Sequence, residues 1–452
     1  MSKILYRNLF LLLITVGFLA CSPAKEEKQA EITSKVEQLE WSKNSSIYEI
    51  NVRQYSEEGT FEAVRKDLPR IKSMGIKILW FMPIHPIGKV NRKGGLGSHY
   101  SVQNYKEVNP DYGTKEDFKK LVDEAHEMGF KVIIDWVANH TAWDNPWTQN
   151  KDWYALTEEG DFMPPTGTDW SDVIQLNYEN EEMRAGMIDA LQYWVRDLNI
   201  DGYRCDVAGM VPTDFWVDAK AALDEIKPVF MLAEDGEPEL VIEAFQMNYG
   251  WEYAHIIREV AKGHRSIRAV DSLFAEDTKR FPSSAYRMYF TSNHDENSWN
   301  GTDPEMYGAN FENFAVLSAT IGGMPLIYNG QESGLDKQLE FFEKDPIEWK
   351  DYKYQDFYTT LVGLKRDEPA LWNGDFGGSL EIIDMPEGLY AYKRVKGESE
   401  VVVVLNFSNE STTVKLADIG VNENYTTYNS TKLMITSEEV SFGPNNWVIF
   451  VK

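Results

Sequence analysis

The chain has 452 residues, 43% hydrophobic and 13% aromatic, and a formal net charge of −27 at pH 7. That apolar content excludes a disordered chain and suffices for two or three folded domains. The acidic balance argues against nucleic acid as a partner, because phosphate binding needs a basic surface. With only Cys21 and Cys205, the chain has no disulfide framework.

At the N-terminus, Lys3 and Arg7 precede an apolar run from Leu9 to Ala20. This is the pattern of a secretory signal over residues 1–20, too short and wrongly flanked for a stable membrane span. The run ends Phe18-Leu19-Ala20-Cys21, which resembles a bacterial lipobox and implies lipidation at Cys21. Residues 21–40 are then expected to be a lipidated tether, polar and charged from Ser22 to Lys28. The expected location is outside the cytoplasm of a Gram-negative bacterium, periplasmic or at the cell surface, with the membrane reached through the lipid anchor.

From Trp41 onward strands and helices alternate. Strands are predicted over 47–52, 76–83, 131–135, 203–206, 229–233, 246–249, 286–291 and 325–328. Helical spacing occupies 61–74, 115–128, 179–198, 213–226, 308–321 and 355–365. Eight strands alternating with helices predict an α/β fold, a (β/α)8 TIM barrel over 41–367. A stretch without periodicity, 141–172, interrupts it after strand three and is expected over the active face. After Pro369 short strands and turns predict a C-terminal all-β sandwich domain over 368–452.

The chemistry concentrates between Asp201 and Glu234. Arg204 and Asp206 stand two residues apart on a strand and share a face. An arginine beside a carboxylate holds it ionised, as a nucleophile requires. Glu234 follows Met231, Leu232 and Ala233, and a carboxyl at the edge of apolar packing keeps its proton, as a general acid requires. Cys205 faces the other way, as a buried thiol under a helix. The other strand ends add Asp135, Asn139 and His140, then Asn293, His294 and Asp295. No histidine pair has zinc-ligand spacing on a helix, and neither a Gly-x-Ser-x-Gly elbow nor a phosphate-binding loop is present. Acids, histidines and an arginine converging at strand ends fit glycosyl transfer to water.

These stretches resemble the α-amylase family of glycoside hydrolases, in family order. Asp135-Trp136-Val137-Ala138-Asn139-His140 is similar to the first conserved region, and Gly202-Tyr203-Arg204-Cys205-Asp206-Val207-Ala208 to the second. Leu232-Ala233-Glu234 matches the third and Ser292-Asn293-His294-Asp295 the fourth. Gln175-Leu176-Asn177, the run from Gly323 to Glu332, and the loop with Tyr100 and Asn104-Tyr105 add flanking matches. The resemblance implies Asp206 as nucleophile, Glu234 as acid/base and Asp295 as the third acid. It implies that Arg204 orients Asp206, that His140 and His294 bind the sugar, and that Tyr100 stacks beneath it.

Asn139 matches a calcium-binding asparagine. Gln175 stands where an aspartate ligand is common, so either Asp172 substitutes as the second ligand for Ca2+ or no calcium binds. Gly209-Met210 replace a frequent Lys-His pair and alter the leaving-group side. The short insertion, and the lack of a large β domain before the barrel, imply an open cleft. The expected function is an endo-acting α-1,4-glucan hydrolase of starch-like polysaccharides or maltooligosaccharides. The alternatives are an α-glucosidase or transglycosylase of the same family, or a non-catalytic glycan-binding lipoprotein.

Overall fold

Eight parallel strands close into a barrel in sequence order. They are β1 (Ile47–Ile50), β2 (Ile78–Phe81), β3 (Lys131–Trp136), β4 (Gly202–Cys205), β5 (Phe230–Ala233), β6 (Met247–Tyr249), β7 (Tyr286–Tyr289) and β8 (Met324–Tyr328). This computed structural model describes residues 32–429 and 433–452. The signal segment and Cys21 lie outside the described residues.

Side chains alternate along each strand, so every second residue fills the lumen. Ile47, Trp80, Ile133, Leu232, Tyr249 and Met288 form that inner cluster. Their neighbours Tyr48, Leu79, Ile134 and Tyr203 pack outward with the helices, as does Cys205, the buried thiol expected there. The inner parity carries Glu49, Asp135, Arg204, Asp206 and Glu234 upward to the C-terminal mouth. Gly202 has φ 155°, and a Cβ there would lie 1.9 Å from the Phe230 carbonyl oxygen, so only glycine lets β4 start against β5.

Most helices fall where the periodicity places them, including Phe61–Ser73, Lys115–Glu127, Glu181–Asp197 and Thr213–Asp224. Thr114 and Asp117 start the second of these with a reciprocal capping box. Three others, Pro238–Glu243, Trp251–Ala261 and Ala269–Arg280, were not foreseen from periodicity. They flank β6, a strand of three residues joined to the next helix by Gly250 alone, so no cluster of turn residues separates that strand from that helix.

The insertion is not wholly irregular. His140–Ala142 pairs antiparallel with Val173–Gln175, so a two-stranded ribbon both opens and closes it. The C-terminal region is a sandwich. A five-stranded sheet, whose long strands are Leu389–Lys396 and Ser399–Asn406, packs on a three-stranded sheet. Val402, Val404, Val440 and Phe450 fill the space between. The opposite face, with Val401, Val403 and Leu405, joins the core of the barrel helices. Asn313 Nδ2 donates to the Asn406 carbonyl at 2.8 Å across this junction.

The stretch expected to be a tether is bonded to the barrel before it ends. The Lys35 N–H donates to the Ile242 carbonyl at 2.8 Å, and Ser34 Oγ to the Val241 carbonyl at 2.7 Å. Gln38 Nε2 donates to the Gln246 carbonyl at 2.9 Å. Free tether therefore does not extend through residue 40, because these groups find backbone acceptors beside β6.

Candidate active site

The floor of the site is Arg204, fully buried at the barrel mouth. Its Nη1 donates to Asp135 Oδ1 at 2.8 Å and to Asp206 Oδ1 at 3.1 Å. Its Nη2 forms an ion pair with Glu234 Oε2 at 2.9 Å. The Tyr249 hydroxyl accepts from Nε at 3.1 Å, and the Trp80 ring lies 5.2 Å from the guanidinium carbon. The sequence reading gave this arginine to Asp206 alone; the structure divides it among three carboxyls. Burial pushes the Asp206 carboxyl well above the ordinary range, the Glu234 charge adds to this, and Arg204 opposes it. The expectation that Arg204 holds Asp206 low is thus corrected: one cation cannot offset burial of the whole group.

Asp206 and Glu234 are level with each other. Cys205 pairs with Ala233 in the β4–β5 ladder, and each acid is the next residue. The Glu234 N–H donates to the Cys205 carbonyl at 3.0 Å. Between the acids sits Val207, at φ 36° and ψ 47°, a left-handed conformation rare for a β-branched residue. Its N–H donates to Glu234 Oε2 at 2.7 Å. That oxygen also faces Arg204, so the proton of a neutral Glu234 belongs on Oε1.

A second network crosses the mouth. The Tyr100 hydroxyl donates to Asp135 Oδ2 at 3.1 Å and lies 2.6 Å from His294 Nε2. His294 Nδ1 is 2.5 Å from Glu49 Oε1, and Nε2 is 3.3 Å from Asp295 Oδ2. The Tyr100 ring is stacked with His294 at 5.5 Å and with Phe341 at 6.3 Å. His140 is buried, which pushes its imidazole down to about 4 and keeps it neutral.

One cavity of about 510 Å³ is lined by Tyr100, His140, Asp206, Glu234, His294 and Asp295, with Arg204 beneath it. The structure brings these expected residues together. It adds residues the sequence reading missed: Lys93, Trp170, Trp299 and Phe341 on the wall, and Glu49 below. Trp299 is 56% exposed and packs on Phe341 at 5.3 Å. The Lys93 ammonium donates to the Asp169 carbonyl at 3.0 Å and pairs with Asp172 at 3.4 Å. The Leu96 N–H of the same loop donates to the Phe342 carbonyl at 2.9 Å. This loop therefore joins the insertion to the segment after β8. Loop residues far apart in sequence carry no periodicity, so nothing marked them. Glu49 did carry a signal: an acid at the inward parity of an apolar strand.

Residues 37–345 match the family model described as the α-amylase catalytic domain. The chain belongs to the α-amylase family of glycoside hydrolases. It is 28% identical over 402 residues to an α-amylase of Haloarcula japonica, spanning 83% of this chain and 57% of that relative. It is 27% identical to the α-amylase 2 of Dictyoglomus thermophilum, over 82% of this chain and 70% of the other. Among solved structures, an α-amylase from Lactobacillus plantarum superposes with a TM-score of 0.79 at 30% identity, covering 90% of this chain and 99% of the other. A noncanonic maltogenic α-amylase from Thermotoga neapolitana gives 0.76 at 30% identity, covering 90% and 98%.

Two local features separate this α-amylase-family chain from the pattern its motifs resemble. A Cβ at Gly209 would lie 2.0 Å from Asp235 Oδ2, so a larger residue there requires Asp235 to move. The expected calcium ligands also do not fit calcium. Calcium takes six to eight oxygens. The Asn139 side-chain oxygen accepts from Gln175 Nε2 at 2.9 Å, and Asp172 is paired with Lys93. Among the described residues no group of three or more carboxylate, histidine or cysteine side chains is placed to hold a metal. An amide donor stands where a ligand oxygen is needed.

Proposed function

We propose that this protein is a retaining endo-acting α-1,4-glucan hydrolase, acting on starch-like polysaccharides or maltooligosaccharides. The observation that carries the reading is the level placement of Asp206 and Glu234 on adjacent strands over one guanidinium. Neighbouring strands lie about 4.8 Å apart. A retaining pair needs its carboxyls roughly 5–5.5 Å apart, whereas an inverting pair needs roughly 6.5–9.5 Å to admit water. Asp206 attacks the anomeric carbon while Glu234 gives its Oε1 proton to the glycosidic oxygen. The bond to the leaving sugar breaks as the bond to Asp206 forms. Water then replaces the departed sugar, gives its proton to Glu234, and attacks the same carbon to free Asp206. Asp295 grips the sugar hydroxyls and stabilises the positive charge developing on the ring. Tyr100, His140 and His294 hold the ring on the glycone side.

A second reading has one observation in its favour. The Lys93 loop bonds to both the insertion and the Phe342 segment, which narrows one end of the cleft and suits short chains. This supports maltose-releasing or α-glucosidase action, and a relative named as a maltogenic α-amylase has a similar fold. Product profiles on soluble starch, pullulan and maltotriose separate the two. Early maltooligosaccharides of many lengths and a rapid loss of iodine colour support endo action. Maltose or glucose alone, with slow loss of colour, supports the second. Export and lipidation at Cys21 complete the proposal, and release of a Cys21→Ala variant into the soluble fraction tests them.

A further inference from the structure

His294 is buried at the cavity wall with both ring nitrogens engaged. Proton accounting around it is restrictive. The Tyr100 hydroxyl has one proton and gives it to Asp135 Oδ2. Its oxygen, 2.6 Å from Nε2, must then accept, so Nε2 carries a proton. Nδ1 faces a carboxylate oxygen of Glu49, which in its ionised form only accepts. With Glu49 ionised both nitrogens donate and the ring is an imidazolium; burial raises the Glu49 carboxyl, and the charge and hydrogen bond of His294 oppose that rise. Glu49 is itself fully buried, and its Oε2 has no hydrogen-bond partner among the described residues. Its only side-chain hydrogen bond among those described is to His294. A buried carboxyl with one partner does nothing for the strand that an apolar residue would not do better.

We propose that Glu49 is a positioning residue for glycosidic bond cleavage, holding His294 as a cation whose Nε2–H is fixed toward Tyr100 and Asp295. The charged groups around the ring are Glu49 on β1, Tyr100 and His99 on the loop after β2, Asp135 on β3, Arg204 on β4 and the adjacent Asp295. Burial pushes the imidazole down, but the Asp295 and Glu49 carboxylates overcome it and carry the group up to about 9. A fixed imidazolium places a second positive charge in the cleft beside Asp295, across the mouth from Arg204.

The test has a titration and a kinetic arm. In wild-type protein with 15N-labelled histidine, the His294 signal, assigned by its loss in His294→Gln, is expected to remain that of an imidazolium through pH 8. Titration near the ordinary histidine value of about 6.5 overturns the proposal. Glu49→Gln keeps an acceptor at Nδ1 but removes the charge. It is expected to bring the His294 titration down by about one pH unit or more and to lower kcat/KM, and Glu49→Asp to restore both part-way. A Glu49→Gln enzyme in which the His294 titration is unmoved also overturns it. The kinetic arm rests on the proposed hydrolysis, whereas the titration does not. If Glu49→Gln does not fold, the wild-type titration decides.

Discussion

Val207 donates its backbone N–H to Glu234 Oε2 at 2.7 Å from a left-handed conformation with φ 36°. The residue after the proposed nucleophile thus orients the proposed acid, through a backbone shape that valine resists. Such strain costs on the order of 1–3 kcal/mol and persists only where its surroundings impose it. Glycine adopts this shape freely. Val207→Gly is therefore expected to keep the N–H donor, retain activity within a few-fold, and melt at or above the parent temperature. A melting temperature several degrees lower, by calorimetry, would show that the valine side chain matters more than the strain.

The pH profile follows from burial. The proposed nucleophile Asp206 must be ionised to attack, and burial with the neighbouring Glu234 raises its carboxyl. As pH falls through that raised value, the nucleophile is protonated and activity is lost. The acid limb of kcat/KM is expected above the free aspartate value of about 3.9. A limb at or below that value would show that Arg204 prevails over burial.

Trp299 extends the aromatic stack that begins at His294 and Tyr100 and passes through Phe341. Its exposed ring offers a flat apolar face to a sugar beyond the cleavage site. Trp299→Ala is expected to raise KM for soluble starch roughly tenfold, about 1.4 kcal/mol of binding, with kcat nearly unchanged. An unchanged KM would remove the ring from the substrate path.

Chelation tests the metal question. Gln175 donates to the Asn139 oxygen, and Lys93 neutralises Asp172. Treatment with a calcium chelator is expected to leave activity and melting temperature unchanged. A fall in either would restore a calcium site to this chain.

The strand ends were legible because the two-residue period fixes which side chains enter the lumen. The step from Arg204 to Asp206 placed both inward and Cys205 outward, as found. That parity did not foretell the sharing of Arg204, since the Asp135 and Glu234 contacts depend on the register of three strands. Glu49 was readable by the same rule, lying two residues past the inward Ile47. Trp299 and Phe341 were not, because they meet only once segments more than forty residues apart converge at the mouth. The three-residue β6 lacked enough length to show a period, and Gly250 alone separates it from the helix that follows. Ser34 and Gln38 read as a polar tether because their partners are backbone carbonyls, which no side-chain pattern reveals.

The central claim is a two-step displacement through Asp206 with Glu234 as acid and then base. Proton NMR of the first product released from a maltooligosaccharide, recorded before mutarotation, tests it most directly. Two inversions at the anomeric carbon predict the α-anomer. Initial release of the β-anomer would contradict the covalent intermediate and the roles of both acids.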